Sequence, residues 1–440
     1  MLRILMAVIL VWSFAYSKEF IVQDLNDTKP VKQWVALPYI FSSDTTGLTG
    51  GVVGLWTGYV QPQMTMILTV FAGEELTVQD YSTTTEDKAR AAGVFFGITG
   101  YKPSFSKRPF VDLLGSYAYY PNQRIYLNGS NDSKRNIDST NRAEYTPLQT
   151  QGYNNWAYIN FSYVLPMGES DTQVLPNIVL DRGIAVNRDN VGGGVPFVTG
   201  QTVFSTEVFY NKWQMDKFVS EPSLNTNGLR LVLEHDNTDY PDNPSRGYSF
   251  ELKYSQDFGL SNSTQSWSAI EAEYSQYFEL PNFNWSRQSV IALNAWTAYS
   301  PSWKVGETLH SRAGAVIEKH QTPMWEGARL GGWNRLRAYD SNRFNDKAAL
   351  YGAVEYRVIP QFNPMRGQTW NPFKIDWFQT VLFAEAGRVH SSYDVGELVS
   401  DMKYDVGFSI RALAAKVPVR FEMAFGDEGS SMWVMVKQPF

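Results

Sequence analysis

The chain has 440 residues, a formal net charge of −6 and no cysteine. The acidic balance argues against a nucleic-acid partner, and without cysteine the chain can form neither disulfides nor a thiol nucleophile. Aromatic residues make up 15% of it, with 25 Tyr, 26 Phe and 14 Trp; that is high for a soluble domain and expected where rings form girdles at both membrane interfaces.

Met1-Leu2-Arg3 reads as the basic start of a signal peptide, residues 4–14 as its apolar stretch, and Ala15-Tyr16-Ser17 as a cleavage site with small residues at the two recognised positions. The apolar stretch is short for a retained span, which needs about 20 residues, so residues 1–17 are expected to be removed. No later run reaches that length, which excludes a helical membrane protein. Residues 18–46 are polar apart from a short apolar piece at Trp34–Phe41. They fall below the roughly 40 residues of an independently stable fold and read as a short N-terminal segment.

From Gly47 strands and turns alternate. Gly47–Tyr59, with Gly50, Gly51 and Gly54, is expected as a weakly packed first strand. Strands are expected next at Met64–Phe71, Ala92–Lys102, Phe110–Tyr120, Trp156–Leu165, Asn177–Val186 and Thr202–Lys212, with polar loops such as Asn128–Asn141 between them. Leu229, Leu231 and Leu233 then oppose Arg230, Val232 and Glu234, and Tyr248, Phe250, Leu252 and Tyr254 oppose Ser249, Glu251, Lys253 and Ser255. Apolar outside and polar inside is the pattern of a transmembrane barrel. A soluble sandwich alternates too, but its closed core would have to pair Arg420 and Glu422, which a hydrated lumen accepts. Strands at Gln265–Leu280, Gln288–Tyr299, Ala349–Val358, Phe378–Val389, Tyr404–Arg411, Val417–Phe425 and Met432–Phe440 complete the pattern. The expectation is an all-β chain, a transmembrane antiparallel barrel of about sixteen strands over residues 47–440.

The stretch from Gly327 to Arg357 breaks this rhythm. Its first half is too rich in glycine and charge for a strand and its second half alternates, so a long structured loop runs into a strand. Leu330-Gly331-Gly332, Leu336-Arg337-Ala338-Tyr339, Arg343 with Asp346, and Glu355-Tyr356-Arg357 follow one another. In that order and spacing they resemble the signature of the bacterial surface antigen family, the barrels of BamA/TamA-type outer-membrane assembly factors. Ala338 stands where the family prefers glycine. Asp236–Gly247 resembles the family's proline-glycine hairpin, with Thr238 in place of an arginine, and Phe383-Ala384-Glu385-Ala386-Gly387 resembles its F-x-D-x-G motif, with glutamate for aspartate.

The resemblance implies an extracellular loop folded into the lumen and held there by Arg337, paired with Glu355 and Glu385, with Tyr339 against the inner wall near Phe383. It implies that Phe440, preceded at alternate positions by Val436 and Val434, is the signal read by the outer-membrane assembly machinery during biogenesis. Most members carry periplasmic POTRA domains ahead of the barrel; residues 18–46, read as a periplasmic segment, are too short for one, so a short member is expected.

No nucleophile elbow, H-E-x-x-H, nucleotide loop or calcium loop occurs, so neither an enzyme nor a cofactor or metal is expected. His235 has an acidic neighbour, Asp236, but neighbours on a strand face opposite ways. Two functions stand: assembly or translocation at the outer membrane, with the bilayer and a protein or lipid client as partners, or a passive or gated pore. The loop discriminates them, because a porin needs an open lumen.

Overall fold

Period-two alternation builds one sheet. The computed structural model describes residues 6–7, 19–43, 45–79, 86–126, 148–188, 191, 197–214, 223–312, 315–366, 368, 371 and 373–440. Sixteen strands follow one another: β1 (Gln33–Ser43), β2 (Gly47–Thr57), β3 (Thr65–Gln79), β4 (Glu86–Tyr101), β5 (Pro109–Ile125), β6 (Leu148–Val164), β7 (Gln201–Gln214) and β8 (Ser223–Asp236), then β9 (Gly247–Asp257), β10 (Trp267–Glu279), β11 (Ser286–Tyr299), β12 (Ala348–Pro360), β13 (Ile375–His390), β14 (Lys403–Ala414), β15 (Val417–Gly426) and β16 (Gly429–Val436). Each pairs antiparallel with the next.

The two faces of this sheet are inverted relative to a soluble protein. Leu231, Leu252, Tyr254 and Ile270 point outward and are 40%, 42%, 39% and 41% exposed, whereas Glu207, Glu355, Arg411 and Arg420 are fully buried on the opposite face. Burying that many charges costs heavily unless each is paired, and leaving a ring of aliphatic side chains in water wastes their burial. Both problems disappear if the outer face meets lipid. The loop joining β11 to β12 lies against the inner face and is touched by β5 through Arg124, by β8 through Arg230, by β10 through Glu273 and by β13 through Glu385. The sheet therefore wraps around the loop, and the molecule is a membrane barrel with a filled lumen.

Among the described residues no register joins β16 back to β1; Met6–Ala7 lies parallel to Met432–Trp433 on β16 instead. The rest of the expected signal peptide, residues 1–5 and 8–17, lies outside the described residues, as does the loop expected at Asn128–Asn141.

Two strand assignments differ from the sequence expectation. The sheet begins at Gln33, not Gly47: Trp34–Phe41 alternates well enough to pair with β2 throughout, and Pro38 is accepted because β1 is an edge. The stretch expected at Asn177–Val186 is not in the wall. Its five-residue strand Asn177–Asp181 is too short for a span of about 9–11 residues. It turns at Arg182 and Gly183, both at positive φ, pairs with Ile184–Ala185, and takes Ile21–Asp24 as a parallel neighbour. One gain and one loss leave the total at sixteen.

This small sheet sits where β1 begins and β16 ends, here called the turn end. There Val22, Ile178 and Leu180 pack with Tyr240, which belongs to the Asp236–Gly247 hairpin. Thr238 donates both its N–H and its hydroxyl to Asp236 at 2.8 Å. The hairpin is thus pinned by a local Asx-type turn.

Candidate functional site

The loop between β11 and β12 owes its shape to backbone choices. Gly331 and Gly332 adopt φ of +100° and +111°, and a Cβ on Gly331 would come within 2.4 Å of the Asp340 carbonyl oxygen. Only glycine permits that approach. It lets the Gly331 N–H reach the Arg335 carbonyl at 2.9 Å and the Gly332 N–H reach that of Tyr339 at 3.0 Å. Below this fold-back a short neck pairs Arg329–Leu330 with Phe344–Asn345. Asp346 stays at the neck, where it accepts the Lys347 N–H at 2.7 Å. Residues 333–339 form the tip, and Leu336, itself at φ 52°, is fully buried there.

Arg337 projects from this tip into a cluster of buried charges. Its Nε donates to Glu385 at 3.0 Å, and its Nη1 lies 2.9 Å from both Glu355 and Glu422. Its backbone N–H also donates to Glu385, at 2.8 Å. The guanidinium carbon stands 3.5 Å from the centre of the Phe383 ring, whose electron-rich face it covers. Room for that ring exists because Gly407 lacks a side chain: a Cβ there would lie 2.3 Å from Phe383 Cζ.

The three glutamates are shared with the wall. Glu355 also takes Arg357 at 2.8 Å and Arg411 at 2.8 Å, and Glu422 takes Arg411 at 3.1 Å and Arg420 at 2.5 Å. Four guanidiniums thus meet three carboxylates, with Asp405 alongside accepting the Ala338 N–H at 2.8 Å. The fixed fork of arginine suits such bridging, since one side chain can serve two acceptors in different directions.

The tip is fastened on every side. Tyr339 shares the apolar cluster of Phe383 and packs edge-on against Phe344 at 5.1 Å. Its hydroxyl donates past that cluster to Asp427 at 2.6 Å, in the β15–β16 turn. Against a burial penalty, Lys403 and Tyr339 hydrogen bonds hold the Asp427 carboxyl below its usual range. Arg343 engages Glu428 bidentately, both bonds at 2.8 Å. From β16, Trp433 donates to the Arg337 carbonyl at 2.7 Å and Ser431 to that of Ala338 at 3.0 Å. The Ala338 methyl, unusual for the family, faces Gly426, where a Cβ would come within 3.1 Å of it. The wall supplies the glycine that the loop lacks.

The structure brings together Arg337, Glu355, Glu385 and Phe383, the residues expected at the anchor. Sequence reasoning missed Glu422, Asp405, Asp427, Glu428 and Trp433 as partners. Arg420 and Glu422 stood out as charges on a lumen face, but which strand face meets the loop depends on register. The last strand, expected at Met432–Phe440, ends at Val436. Val434 is half-buried on the outer face and Val436 ends the strand, but Phe440 does not continue it. Lys437 turns to φ 62°, Gln438 bonds Arg411, and the Phe440 ring packs inside against Tyr277, Val290 and Ala292. Arg357 holds the Phe440 carboxyl end at 3.1 Å and stacks over its ring at 5.1 Å. The physical cause is Pro439, which cannot donate to a ladder, together with the buried Arg357 guanidinium, which donates to the Phe440 carbonyl oxygen.

Fold and site together define an outer-membrane β-barrel whose lumen is filled by its own anchored loop. The Omp85 superfamily domain matches residues 197–430, more than half of the chain, and the chain belongs to the Omp85 superfamily. Among solved structures it is similar to BamA from Haemophilus ducreyi lacking POTRA domains 1–3, at 12% identity over 92% of this chain and 70% of that one, with a TM-score of 0.43. It is also similar to CdiB from Acinetobacter baumannii, at 12% identity over 91% of this chain and 58% of that one, with a TM-score of 0.48. No curated protein matches the sequence.

Proposed function

We propose that the chain assists the assembly or translocation of proteins at the outer membrane, with the β1–β16 seam as the place where it opens. The observation that supports this reading is that, among the described residues, no register joins β16 to β1, beside a plugged lumen. A passive route through the centre is blocked by the anchored loop. Apart from Met432–Trp433, along which Met6–Ala7 lies, an unregistered edge, by contrast, offers backbone donors and acceptors to a client strand. Gly50, Gly51 and Gly54 lie on β2, one strand in from the seam, and the Tyr39 ring of β1 occupies the space a Gly51 side chain would need. The chain's own assembly by the outer-membrane machinery belongs to the same proposal.

A reconstitution tests it: purified protein in vesicles, an unfolded outer-membrane barrel added, and folding followed by gel shift. Faster folding than in empty vesicles supports the reading; an unchanged rate overturns it. One feature favours a gated pore instead. Glu234, Glu251 and Glu273 stand directly opposite one another across β8, β9 and β10, an acidic row suited to passing cations. A steady cation-selective conductance with no effect on client folding is the outcome that reading requires.

A further inference from the structure

At the turn end a cavity of about 220 Å³ opens between the starts of β11 and β13 and the end of β12, lined by Arg182, Arg287 and Arg366. At about 30 Å³ per water it holds several water-sized groups. Two of the three guanidiniums share one carboxylate, Asp181, which Arg182 meets at 3.0 Å and Arg287 at 3.7 Å. Arg182 grips Asp181 through Nε at 3.2 Å and Nη2 at 3.0 Å, and Arg287 donates to the Asp181 and Arg182 carbonyls at 3.0 and 3.3 Å. The acid on the lining, Asp376, is taken by Lys416 at 2.7 Å. The hydrogen bond from Arg182, with Arg287 and Arg366 adding to it, holds the Asp181 carboxyl below its usual range. Among the described residues the Arg366 side chain makes no hydrogen bond or ion pair. At the rim it acts on Asp181 through its charge alone.

The surroundings fix the level of this cavity relative to the bilayer. Trp285 and Phe362 are 57% and 74% exposed beside it. Phe283 stacks on Trp285 at 5.6 Å, and the Gln361 N–H on the cavity wall bonds the Trp285 carbonyl at 2.8 Å. Exposed rings at a barrel's rim mark the headgroup layer. Arginine forks match phosphate oxygens in pairs.

We propose that this cavity binds a phosphate diester, the headgroup of an anionic phospholipid in the leaflet at the turn end. Arg366 closes over the phosphate from the rim and Arg287 meets it from the wall.

Native mass spectrometry of the full chain in detergent tests this, with phosphatidylglycerol, phosphatidylcholine and inorganic phosphate as probes. Both lipids offer the phosphate diester, but the quaternary ammonium of phosphatidylcholine is repelled by the guanidiniums of the cavity; a difference worth one charge-assisted contact is about tenfold in binding, so phosphatidylglycerol is expected to be retained about that much better. Arg366→Gln removes the preference, while Arg388→Gln at the opposite end keeps it; heat-dependent gel migration confirms that both variants fold. Retention of inorganic phosphate without preference between the lipids overturns the lipid assignment. A preference that survives Arg366→Gln overturns the site.

Discussion

Arg337→Ala isolates what the anchor contributes. Without the guanidinium, Glu355 still has Arg357 and Arg411, and Glu422 still has Arg411 and Arg420. Glu385 retains the Tyr351 hydroxyl at 2.5 Å and a backbone N–H, so it carries most of the loss. Removing one partner of a buried ion pair costs about 3–5 kcal/mol, roughly two to three and a half powers of ten in the opening equilibrium of the loop tip. The contacts of Tyr339, Arg343, Trp433 and Ser431 remain, so the tip opens transiently and does not leave the lumen. Chymotrypsin cleavage after Tyr339 and the frequency of conductance steps in planar bilayers are both expected to rise. Glu385→Ala is expected to do the same, and the double variant to cost less than the sum, with a coupling of about 0.5–3 kcal/mol. Unchanged protection and conductance in both single variants would refute the anchor.

Three further outcomes follow from the same contacts. Gly426→Ala places a methyl within 3.1 Å of the Ala338 methyl and 3.2 Å of the Tyr339 ring; it is expected to cost about 1–3 kcal/mol, read as a lower temperature for the gel shift, and to be partly relieved by Ala338→Gly. Equal losses with and without Ala338→Gly would contradict that packing. The Asp427 carboxyl titrates below its unfolded value, so its contribution is full above the ordinary carboxylate pKa of about 3.9 and is lost as pH falls through the lower folded value; pepsin sensitivity of the tip should rise there, and Asp427→Asn should remove that dependence. Deleting Phe440 withdraws its carboxyl end from Arg357 and a half-buried ring from its pocket, a loss of up to about 3 kcal/mol; reduced membrane levels with undiminished stability would make the residue a recognition signal alone.

The wall was legible because lipid outside and charge inside impose one rule on every strand, plain at Leu229–Glu234 and Tyr248–Ser255. The rule fails where a strand is not in the wall: Asn177–Asp181 alternates equally well in a small sheet at the turn end. Trp34–Phe41 was noticed but its pairing with β2 was not, since nothing local separates an edge strand from a linker. Within the site, Arg337, Glu355 and Glu385 could be named from the resemblance. Glu422, Asp427 and Glu428 could not, because they reach the tip through the curvature of a sheet whose last strands lie far from Gly327–Arg357 in sequence. The inward turn of Phe440 is not legible for a similar reason: the guanidinium that donates to its carbonyl oxygen sits on β12.

The most direct test is a covalent staple across the seam. The chain has no cysteine of its own, so one engineered cysteine on β1 and one on β16 are joined specifically by a thiol crosslinker with a reducible link. The crosslinked protein is expected to lose its acceleration of client folding in reconstituted vesicles, to regain it on reduction, and to keep its conductance throughout. Full acceleration by the stapled barrel would contradict the account.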